Sequence, residues 1–177
     1  MYSAEFERIG KRLFAEHLVG GNFGNISVRA DDGFLIKRTG AYLDVAGEPV
    51  FVPFVGDAPR EASSEYRVHR EVYNKTSYHA IVHAHPPTAI AASLMLDRIV
   101  PEDSEGQMLC PLIQVVTGAP GSQEIADNVA SALIHSRLVM VRGHGSFAAG
   151  KTLDEAYLYT SLAEHSCRVI AQKKGFS

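Results

Sequence analysis

Apolar and polar residues alternate with two different periods along this chain, and the switches between them outline its elements. Near the N-terminus Phe6, Ile9, Leu13 and Phe14 recur at helical spacing. Residues 3–18 are therefore predicted to form a helix, with Ser3 as its cap, Glu5 and Glu7 at its positive end and Gly20-Gly21 stopping it. Residues 22–29 then pass from a glycine-rich turn into an alternating strand, and Asp31-Asp32-Gly33 turns the chain into a second strand at 34–37. Residues 49–55 read as another strand, placed near a sheet edge by Pro53. Helical spacing returns from Ser63-Ser64-Glu65 to about residue 74, with Glu65 and His69 on one face. The run Ala80-Ile81-Val82-His83-Ala84-His85 is a strand stopped by Pro86-Pro87, and residues 88–94 continue as a helix with proline in its first turn.

Residues 98–120 carry no clear period and are expected to be a long loop with a strand at 112–116. A helix over 122–136, a buried strand over 137–142 and a turn at 143–145 into another strand follow. Thr152 and Glu155 form a capping box that opens a helix to about residue 173. Neighbouring strands joined by short turns favour an α/β fold of α+β character: a central, mainly antiparallel mixed sheet with helices on both faces, in place of a doubly wound parallel sheet. The glycines at 20–24 precede a strand and do not open a helix, which argues against a dinucleotide fingerprint. At 177 residues and 46% hydrophobic, the chain is expected to form one domain spanning 1–177.

Composition narrows the partners. A net charge of −3 with no basic or acidic block gives no reason to expect nucleic acid or a membrane surface, although a small anion could be held locally. Cys110 and Cys167 offer no disulfide framework and no Cys-x-x-Cys pair. The first residues carry acids where a signal peptide needs basic and then apolar ones, and no stretch approaches a membrane span. The expectation is a soluble, cytoplasmic protein.

Candidate chemistry begins at His83 and His85. In a strand both point to the same side, which is half of a metal site, although two strand histidines can also be plain surface residues. His144 lies between Gly143 and Gly145, where the backbone can approach a ligand closely; the bland alternative is a turn histidine. Three neutral imidazoles with an open position are what a catalytic zinc needs, and Glu65 supplies a carboxylate for acid/base work.

Gly24-Asn25-Ile26-Ser27-Val28-Arg29, Ser63-Ser64-Glu65, His83-Ala84-His85 and Gly143-His144-Gly145 resemble, in that order and at comparable spacing, the class II aldolase/adducin family over nearly the whole chain. The resemblance implies one Zn2+ per subunit, or another divalent metal, bound by His83, His85 and His144. It implies Glu65 as a resting-state ligand that becomes the acid/base when substrate displaces it. It also implies a substrate phosphate held by Asn25, Thr39, Gly40, Ser63 and Ser64; hydroxyls, an amide and N–H groups at a helix N-terminus can do this without Lys or Arg. The implied reaction is reversible cleavage of a ketose 1-phosphate such as L-fuculose 1-phosphate to dihydroxyacetone phosphate and a short aldehyde through a metal-stabilised enediolate.

Related outcomes of the same chemistry are a pentulose-phosphate 4-epimerase, a methylthioribulose-phosphate dehydratase or a decarboxylase. The non-catalytic branch is an adducin-type assembly domain, which lacks the metal ligands. The resemblance further implies a homotetramer with sites at subunit interfaces. Members with fuculose-phosphate activity use a neighbour's tyrosine and a C-terminal tail. Here the loop at 101–106 has no tyrosine and the chain reaches Ser177 soon after its last helix, so a short form is expected, with Glu105, or Asp103 beside it, as the candidate second acid. Among the remaining side chains, His69 is expected to orient Glu65 by a hydrogen bond. His165, on a stripe with Leu158, Leu162 and Val169, is expected to pack in the core or an interface, and Tyr66, Tyr157 and Tyr159 are expected to be packing residues. His17, His79 and His135 suggest no role.

Overall fold

The computed structural model describes residues 2–176, apart from the side chain of Lys174; Met1 and Ser177, the ends of the expected domain, lie outside them. Strands β1 (Asn25–Arg29), β2 (Gly33–Ile36), β3 (Val50–Pro53), β4 (Ala80–Ala84), β5 (Arg98–Ile99), β6 (Ile113–Val116), β7 (Leu138–Val141) and β8 (Gly145–Gly150) form one sheet. Its order is β3-β2-β1-β4-β8-β7-β6-β5. All neighbours run antiparallel except β6 and β7, so the mixed, mainly antiparallel sheet is as expected. β3 is an edge, where Pro53 costs no ladder bond.

Helices α1 (Tyr2–Ala15), α2 (Tyr66–Lys75), α3 (Pro87–Met95), α4 (Ser104–Leu109), α5 (Gln123–Leu133) and α6 (Leu153–Lys173) cover both faces. The alternation of β4 shows why. Ala80, Val82 and Ala84 pack with Phe6, Ile9 and Leu13 of α1 and with Leu153 and Ala156 of α6. Ile81 turns the other way, among Val68 and Val72 of α2 and Ile125 and Val129 of α5. A third cluster joins Ala89 of α3, Leu138 and Met140 of β7 and Leu162 of α6. None of the helices among the described residues is long and apolar enough to cross a membrane.

Several expectations are corrected. Ser3 is not the cap of α1, which already includes Tyr2; its hydroxyl donates to the Gly47 carbonyl at 3.0 Å. Nor do Gly20-Gly21 stop that helix. It ends at Ala15, and His17 takes the left-handed conformation (φ 58°) while the Leu18 N–H returns to the Leu13 carbonyl at 2.8 Å. Residues 98–120 are not a long loop, because β5 pairs with β6 through Arg98↔Gln114 and Ile99↔Ile113. Asp103 also caps α4 by accepting from the Gly106 N–H at 2.8 Å. The expected box at the start of α6 is half made: Thr152 Oγ1 accepts from the Glu155 N–H at 3.2 Å, but the Glu155 carboxylate accepts from the Lys151 N–H at 2.6 Å.

Candidate active site

The pairing of β4 with its two neighbours brings the site together. His83 stands opposite Asn25 on β1 and opposite Phe147 on β8, and its ring stacks on Phe147 with centroids 4.1 Å apart. The β7–β8 turn delivers His144; Gly143 there has φ +67°, a left-handed conformation that favours glycine, and a Cβ would sit 3.0 Å from the tip of the Leu94 side chain. The ring centroid of His83 lies 4.9 Å from those of both His85 and His144, and His85 and His144 are 5.3 Å apart. One ligand atom from each of the three falls within 4.8 Å of the others. Burial, then the neighbouring rings, pushes the His83 pKa well below its ordinary value; burial, then His144, pushes His85 down to about 4; burial lowers His144. All three are neutral lone-pair donors at neutral pH.

The donor set fits a cation. His144 Nδ1 is buried without a hydrogen-bond partner, and so are Glu65 Oε2 and Asn25 Oδ1. Such orphaned acceptor-capable atoms are costly unless a ligand satisfies them. Glu65 occupies the N-cap position of α2, is 6% exposed and accepts from the Gly121 N–H; burial raises its carboxyl pKa. A raised pKa suits a group that must take and return a proton.

A cleft of about 230 Å³ lies over these groups and is also lined by Asn25, Thr39, Gly40, Ser63 and Ser64. Every expected site residue but one thus meets in one place. The exception is Glu105, which is exposed on α4, receives the Ser104 hydroxyl at 3.2 Å and is not among the lining residues. It sits instead with Asp103 and His165, whose Nε2 is 3.8 Å from Asp103 Oδ1. His165 is therefore exposed and not a core residue; the buried face of α6 uses Leu162, Ala163, Ser166 and Cys167 around it.

His69 also departs from expectation. Its Nδ1 meets Ser27 Oγ at 2.6 Å, the same hydroxyl meets Tyr73 OH at 2.7 Å, and Nε2 has no partner, so no bond to the Glu65 carboxylate is made. Tyr159 is buried, whereas half-buried Tyr157 donates to Glu16, and Tyr66 lies between the guanidinium groups of Arg67 and Arg70.

Three lining residues escaped the sequence reading: Asn22, Phe23 and Lys37. Phe23 stacks on His85 with centroids 5.7 Å apart. Lys37, 6% exposed, donates from Nζ to the Asn22 carbonyl at 2.6 Å and the Ala41 carbonyl at 2.8 Å, and burial lowers its pKa to about 8. The available signal was a lysine directly after an apolar strand, two residues before Thr39 of the Thr39-Gly40 turn.

A histidine on β4, a second just past that strand's end, a turn histidine and a helix-start carboxylate around a mixed antiparallel sheet define a class II aldolase. The model of the Class II Aldolase and Adducin N-terminal domain matches residues 4–171, and the chain belongs to that family; it is an enzyme of the lyase class. More particularly, it is 30% identical over 164 residues to the L-fuculose phosphate aldolase of Methanococcus maripaludis strain C7, covering 90% of each chain. It is likewise 30% identical over 162 residues to the L-fuculose phosphate aldolase of Escherichia coli K12, covering 86% of this chain and 72% of that one. The crystal structure of L-fuculose-1-phosphate aldolase from Thermus thermophilus superposes with a TM-score of 0.96 at 37% identity, over 98% of this chain and 94% of that one. Class II aldolases use a divalent metal, for which the three histidines are the candidate site.

Proposed function

We propose that the chain, as a single class II aldolase-like domain, is a zinc-dependent aldehyde-lyase that reversibly cleaves a ketose 1-phosphate, L-fuculose 1-phosphate being the leading candidate. The observation that carries this reading is the convergence of His83, His85, His144 and Glu65 in one cleft with the hydroxyl and amide donors of Asn25, Thr39, Ser63 and Ser64. The names of the relatives supply the sugar. The three histidines and Glu65 would hold the zinc at rest. When bound, the ion supplies Lewis-acid polarisation of the substrate's carbonyl and adjacent hydroxyl oxygens and offsets their growing negative charge.

The chain's own groups do the remaining work. Ser63 and Ser64 at the start of α2, with Thr39, Gly40 and Asn25, hold the phosphate and fix the carbon chain over the histidines. A base takes the proton from the C4 hydroxyl and the C3–C4 bond breaks. The electron pair passes toward C2 and the aldehyde leaves; Glu65, protonated at this stage, donates its proton at C3 to give dihydroxyacetone phosphate, and it regains a proton from solvent as the first base releases its own. In a homotetramer with sites between subunits, Glu105 on α4 of a neighbouring copy is the candidate acid/base at the aldehyde end. Its exposure, and that of Leu94, Met95 and Val100 nearby in the chain, supports such an interface. Two buried free thiols, Cys110 and Cys167, fit the reducing cytoplasm.

The test is a cleavage assay of zinc-loaded protein on a panel of ketose 1-phosphates, following dihydroxyacetone phosphate. Release that a chelator stops supports the reading. Bound zinc without release overturns aldol cleavage in favour of the epimerase, dehydratase or decarboxylase outcomes, and absence of both overturns the metal site.

A further inference from the structure

Helix α3 runs from the residue after Pro86, just beyond His85, to the turn that carries His144. Nothing in its own sequence caps it, since Pro86 offers no side-chain acceptor. The cap comes from α6. Glu164, 3% exposed, accepts from the Thr88 N–H at 2.9 Å, the Ala89 N–H at 3.1 Å and Thr88 Oγ1 at 2.6 Å. Arg168 Nε adds a fourth bond at 2.8 Å. A buried carboxylate is tolerated when this fully bonded, and at a helix N-terminus it also meets the positive end of the dipole.

The other end of α3 grips the turn. Ser93, fully buried, accepts from the Gly143 N–H at 3.0 Å through Oγ, while its carbonyl accepts from Arg142 Nη1 at 2.8 Å. Arg142 Nη2 then reaches Asp97 just past the helix at 2.6 Å. One rigid helix therefore joins the segment of His85 to the segment of His144. Glu164 ties the first turn of that helix to α6.

We propose that Glu164 is a positioning residue for the histidine site, setting the spacing of His85 and His144 through α3. This rests on the reading of His83, His85 and His144 as metal ligands. It assigns Glu164 no contact with substrate or metal. A merely structural cap would change stability and leave metal coordination alone, which is where the two roles separate.

The experiment titrates metal-free protein with Co2+ and records the visible ligand-field spectrum with the affinity, below the melting transition of each variant. Glu164→Ala, which removes every acceptor at the start of α3, should weaken Co2+ binding about tenfold or more, as loss of outer supports to a metal site does, and should shift or weaken the visible bands, while Glu164→Gln, whose amide oxygen can still accept from the Thr88 and Ala89 N–H groups, should restore most of both. Thr152→Ala, which removes a cap from the far end of α6, should lower the melting temperature with spectrum and affinity unchanged. A folded Glu164→Ala protein with wild-type spectrum and affinity overturns the proposal. If that variant does not fold, Thr88→Val decides. It removes only the hydroxyl contact, and a loss of about threefold or more supports the bracket, whereas no loss overturns it. Wild-type protein that takes up no Co2+, or His83→Ala that binds it equally well, overturns the histidine reading itself, a failure distinct from the first.

Discussion

The Nδ1–H of His83 donates to the carbonyl of Ser146 at 2.9 Å, and this one bond aims the opposite nitrogen of the ring. Nε2 then stands 3.1 Å from Nε2 of His85. A ring nitrogen held by a backbone carbonyl fixes both tautomer and orientation, the usual support for a metal-ligating imidazole. The bond exists because β4 and β8 pair in the register that sets Ala84 opposite Ser146. The sheet thus tunes the ligand as well as carrying it.

Removing a ring should empty the site. His83→Ala and His144→Ala each leave two imidazoles and the Glu65 carboxylate, one donor short of the four that would hold the ion at rest. Metal content per subunit, measured by elemental analysis after dialysis, should fall from near one to near zero, with turnover lost in parallel. Full occupancy and normal turnover in either variant would contradict the assignment.

Glu65→Gln should keep the cleft and lose the proton transfer. The amide retains the volume and can accept from the Gly121 N–H, so the fold should persist. Loss of a positioned acid/base typically lowers kcat by roughly 10²–10⁴. Circular dichroism alongside steady-state rates checks both halves; near-normal kcat would mean that another group moves the proton.

Much of this site was legible because its signals are local. His83 and His85 need only the two-residue period of a strand, Gly143 and Gly145 flank His144 directly, and Ser63-Ser64-Glu65 is contiguous. The edge position of β3 followed from Pro53 alone. What stayed hidden depends on partners far along the chain. Lys37 becomes a site residue only when the Asn22 and Ala41 carbonyls close around it, and Glu164 caps a helix that starts some 76 positions earlier. Likewise α4 is too short to show a period, and its capping Asp103 sat in a run of acids that reads equally well as loop.

Stability should fall on the acid side through buried His69. Burial drives its pKa down to about 3 from 6.5, so it is neutral in the fold while the unfolded chain takes up a proton below about pH 6.5. The unfolded state binds more protons in that window. The contribution of His69 is therefore complete above 6.5 and is lost as pH falls toward 3, by at most about 1.4 kcal/mol per pH unit. Denaturant unfolding of metal-free protein at about pH 7, 6 and 5 should show this slope. His69→Gln, which cannot titrate, should lessen the slope and leave the share that the lowered His83, His85 and His144 contribute; an equal slope in the variant would remove His69 as a cause.

Lys37→Met should loosen the phosphate end without touching the histidines. The ammonium group joins the loop before Asn25 to the turn after Thr39 and Gly40, and both carbonyls it binds lose their partner in the variant. Unpaired buried carbonyls cost on the order of 1–3 kcal/mol each, which relaxation of two exposed loops would partly relieve by letting water in. The loosening falls on Asn25, Thr39 and Gly40, which under the proposed function hold the substrate phosphate in ground state and transition state alike, so KM should rise more than kcat falls. Inhibition by inorganic phosphate reports the same subsite without chemistry and should weaken by about tenfold, while zinc content stays at the wild-type level. A variant with unchanged phosphate inhibition but lowered kcat would move Lys37 from bracing the phosphate loops to serving the reacting carbons.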